Sequence, residues 1–254
     1  MKNEMNIKIL ATLGPASLNQ DTVERLAENG VSLFRINLSH TAVDDVREIV
    51  TKIQSWTDVP VCLDSEGAQI RNQQMSDDTI YYTNGDVVKI HHETVIGDNK
   101  NISFVPKTVS SQLIVGDEIR VDFNSVKFCI TEIHDDYLLA TVVQAGYVGS
   151  NKAADLSRHI DLDPVTDKDK EAFKIGLDLG VTHFALSFTN SAADVHEVRK
   201  IIGNNSNLIS KIESIKGVLN LGEILALVDQ ILIDRGDLSR EVDIEKIPFI
   251  QRRI

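Results

Sequence analysis

Five times along the chain a short apolar run gives way directly to a segment whose apolar residues recur with the helical period, and a sixth run does so after an interruption. The runs are IKILATLG from Ile7, VSLFRINLSH from Val31, VPVCLDSEG from Val59, THFALSF from Thr182, LISKIES from Leu208 and QILIDRGD from Gln230. Between them, DTVERLAENG carries Val23, Leu26 and Ala27 on one stripe with Gly30 as a stop. TAVDDVREIVTKIQSW keeps the period through Val43, Val46, Ile49, Val50, Ile53 and Trp56, and TDKDKEAFKIGLDLG is bracketed by Thr166 as N-cap and Gly180 as stop. AADVHEVRKIIG and GVLNLGEILALV read as two further helices, and DIEKIPFIQRRI as an amphipathic start. Strict strand-helix alternation requires parallel strands covered by helices, hence a barrel or a doubly wound sheet.

The strand ends separate those two folds. Four of the six runs finish in polar or charged residues: Arg35, Asn37, Ser39 and His40; Asp64 and Ser65; Lys211 and Glu213; Arg235 and Asp237. In a (β/α)8 barrel every C-terminal strand end reaches one mouth, where chemistry is done. A doubly wound sheet would carry a glycine-rich loop after its first strand, and TLGPAS is too poor in glycine for that. The barrel is the favoured reading.

After the third run the texture changes. DTIYYTNGDVVKIHH contains an Asn-Gly turn, and GDEIRVDFNSVKFCITEIHDDYLLATVVQ alternates like a meander of hairpins. The expected organisation is therefore a discontinuous barrel domain at 1–71 and 153–254, with a β-rich domain at 72–152 inserted after the third strand.

Length and charge bound the function. A chain of 254 residues holds one large α/β barrel or two ordinary domains. A net charge of -12 without a basic stripe argues against a nucleic-acid surface. No apolar run reaches membrane-spanning length and the first residues lack a signal-peptide pattern, so a cytoplasmic protein is expected. Cys62 and Cys129 stand far apart in strand-like runs and read as small core hydrophobes in a reducing compartment.

Within LISKIES, Lys211 and Glu213 stand two apart and so share one face of a strand. A cation and an anion there are costly in a core but sensible at a barrel mouth. Together with Arg35, Arg71, Asp64 and Asp237 they make three cations and three carboxylates, joined by the oxygens of Asn37 and Ser39. Each alone reads as an ordinary salt-bridge partner. As a set they supply oxygen ligands for a divalent ion and positive charge for a phosphoryl group in transfer. The histidines add little: His91 and His92 point to opposite faces of a strand, and His196 falls on a charged helical face.

IKILATLGPAS, RINLSH, LDSEG followed by IR, ISKIES and RGDL, in this order, together with DVHEVRK after the fourth strand, resemble the pyruvate kinase family. The resemblance implies conversion of phosphoenolpyruvate and ADP to pyruvate and ATP, the last step of glycolysis, using Mg2+ and K+. It implies that Lys211 stabilises the phosphoryl group in flight and Arg35 contacts phosphate. Glu213 and Asp237 would hold Mg2+; Asn37, Ser39, Asp64 and Ser65 would form the K+ site. Arg71, His40, Pro15 and Lys152 would face the nucleotide, and the Gly236 N–H would help hold the substrate carboxylate, with Asp234 beside it. The family's barrel has eight strands where six are counted here. The expected fold is thus an incomplete TIM-type barrel with an inserted lid: either the sequence is a fragment, or a homo-oligomer or a partner chain completes the barrel. Asp234 stands where the family has a small residue, Glu66 where lysine is common, and Asn190 where arginine follows the fourth strand. These departures leave room for a non-catalytic regulatory homologue, or for an enzyme acting on another pyruvate-like acid.

Overall fold

The computed structural model describes residues 7–67, 69–122, 125–158 and 160–254. The chain divides into two compact units, one of residues 1–68 and 163–254, the other Gln69–Leu162. The second unit therefore reaches beyond the 72–152 expected from texture at both ends.

The first unit is α/β. Its strands are β1 (Ile9–Leu13), β2 (Val31–Asn37), β3 (Val61–Asp64), β4 (His183–Leu186), β5 (Asn207–Ile212) and β6 (Gln230–Ile233). They form one six-stranded sheet in chain order, every neighbouring pair parallel. Helices α1 (Gln20–Glu28), α2 (Val43–Trp56), α3 (Asp167–Asp178) and α4 (Ala192–Ile202) link the strands. Thr166 and Ser191 open α3 and α4 with full capping boxes, closed by Asp169 and Asp194. Gly180 and Gly30 take φ of 76° and 91° just past the ends of α3 and α1, a region that favours glycine.

Two segments depart from the sequence reading. GVLNLGEILALV forms not one helix but two short ones, α5 (Ile215–Leu219) and α6 (Leu221–Leu225), broken at Asn220, whose side chain donates to the Asn190 carbonyl. RGDL, expected at a strand end, is instead a helical turn, α7 (Arg235–Leu238), capped by Asp234. A final helix, α8 (Ile247–Arg253), follows a 3-10 turn.

One face of the sheet packs on the helices: Phe34, Ile36, Leu63, Phe184, Leu186, Leu208 and Ile212 join Val46, Val50, Phe173 and Val198 in one buried core. Among the described residues no helix is long and apolar enough to cross a membrane.

The second unit is a closed β-barrel of seven strands, Ile70–Asn72, Val87–His91, Asn101–Val105, Glu118–Val121, Val126–Ile133, Tyr137–Gln144 and Ala153–Leu156. Thr79–Tyr82 and Gly146–Gly149 form a separate two-stranded sheet. Its own core includes Tyr82 and Phe128, whose rings meet edge to face at 5.2 Å.

Candidate active site

Side chains alternate along a strand, so residues two apart share a face. On the face of the sheet away from the main helices, Leu33, Cys62, Ala185, Ile209 and Leu232 form a small apolar cluster. Two positions further along each strand stand Arg35, Asp64, Ser187, Lys211 and Asp234. An apolar layer therefore supports a polar layer at the C-terminal edge. Registration carries this across the sheet: Asn37 lies opposite Asp64, and Asp64 opposite Ala185.

Lys211 is the hub. Only 5% exposed, its Nζ donates to Ser187 Oγ at 2.9 Å and stands 2.9 Å from Glu213 Oε1 and 3.4 Å from Asp64 Oδ2. Asp64, wholly buried, also accepts from Arg35 Nε at 2.7 Å and pairs with Arg35 Nη2. Arg35 Nη1 donates to Thr12 Oγ1 at 3.0 Å, so its guanidinium is held on two sides. Burial works to lower the Lys211 pKa, but the charges of Asp64 and Glu213 outweigh it and hold the ammonium above the usual lysine value.

Glu213 answers differently. Burial, only partly offset by Lys211 and by the Phe188 N–H, pushes its carboxyl up to about 7, and Asp237 adds to the push. Its Oε2 accepts from the Phe188 N–H at 2.6 Å, which Phe188 presents from a left-handed backbone with φ 51°. Its Oε1, despite the nearby lysine, makes no hydrogen bond of normal geometry. Glu213, Asp234 and Asp237 each offer a carboxylate oxygen, all within 4.8 Å of one another. Oxygen-only donors in that number suit a hard divalent cation.

The loop after β3 is fixed by a distant residue. Asp169 of α3, fully buried, accepts from the N–H groups of Glu66 at 2.7 Å and Gly67 at 3.1 Å, as well as from Thr166 N–H at 3.0 Å. Gly67 takes φ 76°, and a Cβ there would lie 2.8 Å from Ser187 Cβ and carbonyl oxygen, so no side chain fits. Ser65 Oγ accepts from Ser187 N–H at 2.9 Å, while Ser187 Oγ donates to the Ser65 carbonyl at 2.8 Å. Asn37 Oδ1 accepts from the Ser39 N–H at 3.0 Å.

A match to the family model described as "Pyruvate kinase, barrel domain" covers residues 4–254. The chain belongs to the pyruvate kinase family. Among proteins named pyruvate kinase, it is 32% identical to that of Mycobacterium tuberculosis over 255 residues, covering 97% of this chain and 54% of that one. Against the Corynebacterium glutamicum pyruvate kinase it is 32% identical over 257 residues, with the same coverage. Against that of Thermococcus litoralis it is 29% identical over 258 residues, again covering 97% and 54%. The chain thus spans about half the length of the pyruvate kinases it matches.

Of the residues singled out by sequence, the structure links Arg35, Asp64, Lys211 and Glu213 directly, with Asp234 and Asp237 reaching Glu213. Asn37 ends β2 opposite Asp64, Ser65 directly follows Asp64 after β3, and Ser39 lies in the 3-10 turn Leu38–His40 after β2. His40 and Pro15 are exposed in the turns following β2 and β1. Arg71 and Lys152 belong to the second unit; Arg71 Nη1 donates to the Asn151 carbonyl at 2.9 Å, and Lys152 Nζ stands 3.6 Å from Asp122. The Gly236 N–H, expected to face a substrate carboxylate, donates to Asp234 Oδ1 at 3.1 Å.

Ser187, Phe188, Thr12 and Asp169 escaped the sequence reading. Ser187 carried a signal: it stands one residue before the end of the fourth apolar run and shares the face of Ala185. Asp169 carried none for this role, because its partners lie about a hundred positions away.

Proposed function

We propose that the chain is the phosphotransfer part of a pyruvate kinase, a glycolytic transferase moving a phosphoryl group from phosphoenolpyruvate to ADP. In that reaction the bond from phosphorus to the enol oxygen breaks and a bond to a terminal ADP oxygen forms. The released enolate then takes a proton to give pyruvate. The six parallel strands are read as six of the eight β-α units of a TIM-type barrel, with the inserted β-rich segment, expected at 72–152 and contained in the second unit at Gln69–Leu162, as the lid domain.

The observation that carries the proposal is Lys211, buried yet charged, at the C-terminal edge between Asp64 and Glu213. An ammonium buried there meets phosphoryl oxygens as a fixed charge and needs little reorganisation when their charge grows. Arg35, braced by Asp64 and Thr12, is oriented as a second phosphate contact. Asp64 holds both cations, which would otherwise repel one another.

Mg2+ at Glu213 and Asp237, and K+ at Asn37, Ser39, Asp64 and Ser65, would supply positive charge against the oxygens of the bound acid and the phosphoryl group. The donors suit both ions, being carboxylate, amide and hydroxyl oxygens, with Glu213 Oε1 short of a hydrogen bond. Arg71, His40, Pro15 and Lys152 are the proposed nucleotide contacts. Gly236, with Asp234 beside it, marks the proposed substrate-carboxylate region.

The test is a coupled assay of pyruvate formation with phosphoenolpyruvate, ADP, Mg2+ and K+. Lys211→Met is expected to lower kcat by about a thousand-fold, the scale of losing a preorganised charge at the reacting group. Turnover that survives this substitution unchanged, or no turnover in the parent chain, overturns the proposal.

A further inference from the structure

We propose that Asp234 is a third protein carboxylate for the divalent cation, so that the chain holds the ion on its own side chains before any organic ligand arrives. The inference rests on the cation reading of Glu213 and Asp237 and extends it to a residue that reading does not use.

Three observations converge. The first is proximity: carboxylate oxygens of Glu213, Asp234 and Asp237 lie within 4.8 Å of one another. Three carboxylates that close repel as they ionise, and among the described residues two cations stand against them. Asp237 Oδ1 has Arg240 Nη1 at 3.3 Å, and Glu213 has Lys211, already shared with Asp64. The second is spare coordination capacity. Glu213 is 1% exposed, and its Oε1, ion-paired to the Lys211 ammonium at 2.9 Å, makes no hydrogen bond of normal geometry among the described residues, which leaves lone-pair capacity on a buried carboxylate oxygen for a ligand to complete.

The third is that Asp234 is held in place. Its Oδ1 accepts from the Gly236 N–H at 3.1 Å and, more weakly, from the Asp237 N–H at 3.5 Å. A carboxylate has lone pairs for more than two partners. These amides fix the side chain beside the cluster and leave it capacity for a cation. The same contact occupies the Gly236 N–H, so a carboxylate-bearing ligand meets a site where one amide donor is already engaged.

A site with two protein carboxylates relies on substrate oxygens and water to complete the shell of a hard cation; a third raises the affinity for the bare ion. Calorimetric titration of the 254-residue chain with MnCl2, with and without phosphoenolpyruvate, tests this. The variants are Asp234→Asn, Asp234→Ala and Glu213→Gln, with circular dichroism as the folding control. Asparagine keeps an acceptor for the two amides and removes only the charge.

One Mn2+ is expected to bind without phosphoenolpyruvate, about ten-fold or more weaker in Asp234→Asn, and not measurably in Glu213→Gln. If both Asp234 variants bind Mn2+ as the parent does while Glu213→Gln loses it, Asp234 is only the cap of a helical turn. The inference then falls and the cation reading stands. Binding that requires phosphoenolpyruvate in the parent chain has the same consequence. No Mn2+ binding under any condition, or binding indifferent to all three variants, overturns the inference and the cation reading together.

Discussion

Neighbouring residues on β5 meet opposite environments. Lys211 faces the polar layer and has three partners, whereas Ser210, one position earlier, faces the helices between Leu208 and Ile212. Ser210 is fully buried and its hydroxyl has no hydrogen-bond partner among the described residues. A buried polar group without a partner costs stability. Ser210→Ala is therefore expected to stabilise the first unit by about 1 kcal/mol, read as a rise in the denaturant midpoint with an unchanged slope. Ser210 reads as one more small polar residue in the sequence, because nothing local reveals that its face is dry.

At the scale of elements, single side chains tie one strand or helix to the next. Asp169 completes the cap of α3 and also holds the loop after β3. Asp229, just before β6, does similar work: its Oδ2 accepts from the Leu208 N–H that opens β5 and from Arg199 of α4, both at 2.8 Å. The Leu208 N–H foremost, then Arg199, hold its carboxyl below the usual aspartate value against a smaller effect of burial. A depressed folded pKa means that the stabilisation is present above the unfolded value of 3.8 and is lost as pH falls through the lower folded value. Asp229→Asn should therefore be less stable than the parent chain near neutrality, with the gap closing as pH falls below 4. Denaturant unfolding from pH 7 to 3 measures it, and a gap independent of pH would contradict the assignment. The cap of α3 was legible in the sequence at Thr166. The turn at Arg235–Leu238 was not, because its cap, Asp234, ends an apolar run and reads equally well as the last residue of a strand.

For the molecule as a whole, two separate apolar cores serve two units. Phe128 is fully buried in the second core. Phe128→Ala is expected to cost about 3 to 5 kcal/mol there, with loss of amide-exchange protection concentrated in 69–162. Hydrogen exchange read by mass spectrometry resolves this; protection lost equally in the strands of the first unit would show that the two cores unfold as one.

The sequence by itself determined the strand-helix alternation, the inserted β-rich segment, and the charged residues at the strand ends, because each is written in a local period of two or 3.6 residues. The tertiary structure decided how those charges are satisfied. It set Lys211 between Asp64 and Glu213, turned the Phe188 N–H onto Glu213, anchored the loop after β3 on Asp169, and placed Asp234 over the Gly236 amide. Except for Lys211 with Glu213 and Asp234 with Gly236, partners in these contacts lie from 25 to about 150 positions apart, and the short-range contact of Asp234 depends on a turn that a strand-like reading hides. Periodicity reports which face a side chain takes, and only folding reports what it meets there.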